Sequence, residues 1–230
     1  MHGLAGSHNV LLPLAEFLEE KNLTVRNIDL PGHNTTPEDL KTRVWTEWTE
    51  YTQEQLEQLK DTCNQVYLSG TSLGGIISLL LAARNESISG IILFSTALKP
   101  FNLKSWVVYN FPFIRYFIRW VPMKNFVLKY IGVPTNWRIY EKISMNSLCE
   151  GVKLLKELKK ILNKVKQPIL IIHSREDKLI PFKTTKQITS AITSEDMTIA
   201  EITEGGHVIL KDKGCNHSLE IIDKWLEARI

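Results

Sequence analysis

The sequence predicts an α/β protein, a mostly parallel sheet with helices on both of its faces, and three observations predict it. Strand-like runs recur at 66–69, 88–95, 168–174 and 197–202, and stretches with helical spacing separate them. The runs at 88–95 and 168–174 are apolar and rich in β-branched residues throughout, as expected of strands buried on both faces. The third is Val66-Tyr67-Leu68-Ser69-Gly70-Thr71-Ser72-Leu73-Gly74-Gly75-Ile76-Ile77, a strand that passes through Gly-x-Ser-x-Gly into an apolar helix.

Taken in order, Gly3-Leu4-Ala5-Gly6-Ser7 is a glycine turn, and Leu11, Leu14 and Leu18 follow at helical spacing with a stop near Lys21-Asn22. Leu23 to Leu30 alternates as a strand and ends at Pro31-Gly32-His33, a turn signal. From Thr36 to Lys60, charges and the positions Leu40, Val44, Trp48, Tyr51, Leu56 and Leu59 suggest helix. The glycine-serine turn and its helix come next, ending near Arg84-Asn85. The strands at 88–95, 168–174 and 197–202 follow, and a last helix places Leu219, Ile222, Trp225 and Leu226 on one side.

Between Ser95 and Gly151 the pattern changes. From Phe101 to Tyr140 lie 12 of the 20 aromatic residues, interleaved with Lys104, Arg115, Arg119, Lys124, Lys129 and Arg138. Glu141 is the only acid from Lys99 to Lys142, a segment that counts +7. The expectation is a helical cap over 99–150, inserted into a core made of 1–98 and 151–230. Pro112, Pro122 and Pro134 would divide it into short helices. Gly151 to Lys166 reads as an amphipathic linking helix.

The 230 residues suffice to bury a sizeable core. A net charge of +3 does not argue for nucleic acid. Cys63, Cys149 and Cys215 are odd in number and widely spaced, which points away from disulfides and zinc and toward a reducing, cytoplasmic location. No signal peptide is visible. Thr62 to Ala83 carries no charge and has the length of a membrane span, but its central glycines and polar turn favour a strand, a sharp turn and a buried helix.

A serine hydroxyl needs a base to take its proton as it attacks, and the base needs an orienting carboxylate. Ser72 projects from the turn between Gly70 and Gly74, whose missing side chains let the backbone reverse. Asp177 lies just past one strand and His207 just past the next, in the order serine, acid, histidine. Glu176 is a competing acid one residue earlier. His2, His8, His33, His173 and His217 fit the base role less well, since they fall in turns, at helix starts or at the end of a strand. The oxygen that becomes negative during attack needs N–H donors. Leu73, directly after the serine, supplies one, and Leu4 in the early glycine turn is the candidate for the second.

His-Gly-x-x-Gly-Ser at 2–7, Asp-Leu-Pro-Gly-His at 29–33, Gly-Thr-Ser-Leu-Gly-Gly at 70–75, Asp177 with Ile180-Pro181, and Gly-Gly-His-Val-Ile at 205–209 resemble the α/β-hydrolase superfamily. The resemblance is strongest to its small bacterial carboxylesterases and monoacylglycerol lipases. It implies an α/β-hydrolase fold, Ser72 as nucleophile with Asp177 and His207, the amides of Leu4 and Leu73 as oxyanion hole, ester hydrolysis and no cofactor or metal. In such proteins a buried strand precedes the first motif and lies beside the nucleophile strand. Here that motif starts at His2, so the expectation is a sheet lacking this strand, through a fragmentary chain, a misassigned start, or a sheet that closes differently.

The aromatic density of the cap suits an acyl chain, and its cations suit peripheral contact with an anionic lipid surface. The expected substrate is therefore a small acyl ester of short to medium chain, including monoacylglycerols. Two alternatives stay open: an acyltransferase using the same triad, and a catalytically silent protein that binds lipid surfaces. Epoxide and haloalkane hydrolysis are disfavoured, because those reactions on this fold use a carboxylate where this chain has Ser72.

Overall fold

The computed structural model describes residues 1–99, 103–123 and 140–230. Its main sheet has four parallel strands in the order β1 (Tyr67–Thr71), β2 (Gly90–Phe94), β5 (Ile169–Ser174) and β6 (Met197–Ile202). Around it lie α1 (Leu12–Glu20), α2 (Pro37–Thr42), α3 (Trp45–Lys60), α4 (Leu73–Arg84), α6 (Met145–Ile161), α7 (Thr185–Thr189) and α8 (Cys215–Glu227).

Strand alternation divides the core in two. Ile91, Leu93, Ile169 and Ile171 pack with α3, α4 and α6 on one face. Ile92, Phe94, Leu170 and Ile172 pack with α1 and α8 on the other. Every residue of β2 and β5 is buried, which explains their unbroken apolar sequence. The uncharged run at 62–83 is resolved as β1, a turn and α4, and no helix among the described residues is long and apolar enough to cross a membrane.

The segment Leu23–Leu30 has no regular secondary structure and pairs with no strand among the described residues, which corrects the expectation of a strand there. Between it and β1 lies a cavity of about 450 Å³ lined by Leu14, Leu18, Ile28, Leu56, Val66 and Leu68, among others. Among the described residues β1 is thus an edge of the sheet. Its even-numbered positions bond toward β2, as the Ser72 N–H does to the Phe94 carbonyl, so 67, 69 and 71 face the gap. Met1 answers two of their groups: the Thr71 N–H donates to the Met1 carbonyl at 3.0 Å, and the Met1 amine donates to the Ser69 carbonyl at 2.8 Å. Burial lowers that amine to about 5.

Two other elements differ from expectation. The helix foreseen over 36–60 is broken at Arg43-Val44, where the backbone turns extended and Arg43 bridges Asp39 and Glu47. The linking helix begins at Met145 rather than Gly151, because the Ser144 hydroxyl accepts from the Ser147 N–H and starts it earlier. Within 99–150, α5 (Leu103–Asn110) and a 3-10 turn at Pro112–Tyr116 answer the expected short helices. β3 (Trp120–Pro122) and β4 (Lys142–Ser144) form an antiparallel pair, so this segment is not purely helical. Pro134, Lys124, Lys129 and Arg138 lie outside the described residues.

Candidate active site

Ser72 sits at the end of β1 with φ 51° and ψ −111°, a left-handed conformation that a non-glycine residue holds only when its surroundings enforce it. The surrounding glycines show what enforces it. A methyl group on Gly70 would overlap the Gly74 carbonyl, and one on Gly75 would overlap the Thr96 hydroxyl at the end of β2. α4 therefore packs against the sheet at a distance only glycine permits. Its first amides lie directly behind Ser72.

The first glycine turn reaches the same place. A methyl built on Gly3 would lie 3.3 Å from Ser72 Cβ and 3.8 Å from its Oγ. One on Gly151 would touch side-chain atoms of both Leu73 and Leu4, at 3.7 and 3.9 Å, so these two residues meet beneath α6. Neither the Leu4 nor the Leu73 N–H has an acceptor among the described residues. His2 holds the turn from within. Its Nδ1–H donates to the Gly3 carbonyl at 2.8 Å, while Nε2 accepts from the Leu30 N–H at 3.0 Å. The ring is fully buried 4.8 Å from that of His33. Burial, then the neighbouring His33, lowers His2 to about 3, and burial lowers His33 to about 4. Both are neutral supports.

Asp177 and His207 meet across the loops that follow β5 and β6. The His207 Nδ1–H donates to Asp177 Oδ2 at 2.8 Å, and the carboxylate is shut off from solvent. Asp177 Oδ1 accepts the N–H groups of Leu179 and Ile180, each at 2.8 Å. Burial alone would raise this carboxyl. The charge of His207 and the donors His173, His207 and Ile180 outweigh it and hold the group far below the usual carboxylate range. Glu176 points elsewhere, its Oε2 accepting from the Gly205 N–H at 3.3 Å. Thr71 and Val208, chain neighbours of Ser72 and His207, lie around one narrow crevice together with Leu11 and Phe94, which brings the two loops close to each other. No hydrogen bond of the Ser72 hydroxyl is found among the described residues, while the His207 Nδ1–H is committed to Asp177.

One contributor escaped the sequence reading. His173, fully buried at the end of β5, donates from Nε2 to the Ile180 carbonyl at 2.8 Å and lies 3.4 Å from Asp177 Oδ2. It thus ties both ends of the acid loop. A buried histidine four residues before the acid was the available signal.

The chain matches, over residues 1–214, the family described as serine aminopeptidase, S33. A thermostable monoacylglycerol lipase of Bacillus sp. (strain H-257) is 27% identical over 213 residues, covering 92% of this chain and 82% of the relative. A carboxylesterase of Bacillus subtilis (strain 168) is 24% identical over 219 residues, covering 93% and 85%. Among solved structures, one reported for the metagenome-derived lipolytic enzymes LipS and LipT aligns with a TM-score of 0.87 at 23% identity, covering 99% of this chain and 91% of that one. The monoacylglycerol lipase of Paleococcus ferrophilus aligns at 0.75 and 20% identity, covering 100% and 93%. The sheet, the turn at Ser72 and a match that spans most of the sequence lead to one conclusion: the chain belongs to the serine aminopeptidase S33 family of α/β hydrolases.

Proposed function

We propose that the chain hydrolyses carboxylic esters through an acyl-enzyme on Ser72. The observation that carries this reading is the buried Asp177–His207 pair at 2.8 Å, set in loops beside a strained serine turn with two free amides. His207, oriented through Nδ1, presents Nε2 to the serine proton. As Oγ attacks the ester carbonyl, the proton passes to Nε2, and the N–H groups of Leu4 and Leu73 receive the developing oxyanion. Collapse expels the alcohol, which takes the proton from His207. Water, deprotonated by the same ring, then releases the acid and restores the serine.

The substrate class follows from the relatives, a monoacylglycerol lipase and a carboxylesterase, together with the apolar residues between β2 and α6. We take residues 99–150 as a cap over the site, with Tyr109, Val121, Met123 and Tyr140 on its inner, partly buried side. Short- to medium-chain acyl esters, monoacylglycerols included, suit that wall, and a lipid surface is the source from which such esters come. The three unpaired cysteines suit a cytoplasmic location.

Turnover of a monoacylglycerol and of a short nitrophenyl ester, compared in wild type and Ser72→Ala, tests the reading. We expect wild type to release free acid and the variant to lose about 10⁴-fold or more. A wild type inactive on both esters, or a variant as fast as wild type, overturns it.

A further inference from the structure

The segment between β2 and α6 carries a surface that the proposed reaction does not use. Trp106, Phe111, Phe113, Tyr116, Phe117 and Ile118 are all exposed, Tyr116 by 72% and Phe117 by 81%. The rings of Trp106 and Phe111, and of Phe111 and Phe113, meet edge to face at 5.8 Å, and Tyr116, Phe117 and Ile118 follow in the same short segment. Elsewhere among the described residues, the exposed large apolar side chains are Val44, Ile230 and the pair Met197 and Ile199 on β6, none of them aromatic. Such a concentration of exposed aromatic side chains in one short segment marks a place where something docks.

The charges around it say what. Residues 99–140 contain no aspartate or glutamate. Lys104 and Arg119 are exposed, and the Arg115 guanidinium lies 5.2 Å over the Tyr116 ring. α6, packed alongside, adds exposed Lys156 and Lys159, both over the Tyr109 ring at 4.7 and 4.8 Å. The acids of α6 on this side are occupied, Glu150 by Lys153 and Glu157 by Lys160.

We propose that this face docks the protein on an anionic lipid surface. Aromatic rings settle at headgroup depth, and flexible cations beside them extend to the phosphates. A second copy is a poorer occupant, because two such faces would oppose cation to cation with no acid to answer them. The docking is peripheral, as no described helix has the length and apolarity to span. The proposal rests on the ester-hydrolase reading only for its purpose, which is to bring the enzyme to where lipid esters are held.

Co-sedimentation of Ser72→Ala protein with vesicles of phosphatidylcholine alone, and of phosphatidylcholine mixed with phosphatidylglycerol, tests it without turnover. Binding to the mixed vesicles is expected, about tenfold or more tighter than to the neutral ones, and weakened by added salt. Adding Phe113→Ser and Phe117→Ser is expected to cost about another tenfold or more. The same pair in the active enzyme leaves melting temperature and short-ester turnover unchanged. No binding, equal binding to both vesicle types, or binding indifferent to the pair overturns the proposal. So does sedimentation velocity showing that the pair converts a dimer to monomer while vesicle binding stays constant. Because the binding protein is inactive, an inert wild type would leave docking standing, and absent docking would leave the hydrolase reading standing.

Discussion

Asp177 shows how tightly the site is specified at the level of single atoms. One oxygen is committed to two backbone amides and the other to His207, so the carboxylate has no freedom to turn. Replacement by asparagine removes the charge that fixes the His207 tautomer, and we expect kcat to fall about 10⁴-fold with KM little changed. Glu176→Gln, whose carboxylate accepts from the Gly205 amide and not from His207, is expected to leave kcat within a few-fold. Steady-state kinetics of the two variants distinguish them, and the reverse ranking would move the acid role to Glu176. In sequence the two carboxylates were separable only by pattern; the structure separates them by direction. His173 was visible in sequence as a histidine ending a strand, but its part in holding the acid loop was not. Its role depends on the Ile180 carbonyl and the folded-back acid loop, and neither is encoded by the residues next to it.

The two early turns, 1–7 and 29–34, act as one supporting element behind the nucleophile. They are joined by the Leu30 N–H to His2, by His2 against His33, and by Asp29, which accepts the His8 N–H at 2.6 Å and its Nδ1–H at 2.7 Å. This makes the element sensitive to acid. His2 and His33 titrate near 3 and 4 when folded and near 6.5 when unfolded, so above about pH 6.5 neither state is protonated and the pair is neutral in its effect. As pH falls below 6.5 the unfolded chain takes up protons the folded one refuses, and stability drops until the folded values are reached. Between pH 7 and 5 the loss is about 3–4 kcal/mol for the two rings together. Urea unfolding at both pH values measures it. A flat stability over that range would show that the rings are not buried as described. The motifs themselves were legible from sequence, but their mutual support was not, since it joins positions 28 residues apart through one ring nitrogen.

Across the whole molecule, what the sequence made readable is what local chemistry dictates. β1, the glycine turn and α4 follow from a contiguous stretch, and β2 and β5 from their unbroken apolar runs. The antiparallel β3–β4 pair was not readable, because its strands lie on either side of an intervening segment and Pro122 suggested only a helix break. Among the described residues β1 ends the sheet, and the gap beside Leu23–Leu30 lies along its outer side. What the gap does to catalysis depends on whether Gly3 and Leu4 hold their position against Ser72. One measurement addresses this directly: intact-mass analysis and peptide mapping after exposure to a fluorophosphonate, which reacts only with an activated serine beside a working oxyanion hole. The account predicts a single adduct on Ser72, absent in Ser72→Ala and formed at least about 10³-fold more slowly in His207→Ala. No adduct on wild type, or an adduct on another residue, would contradict it.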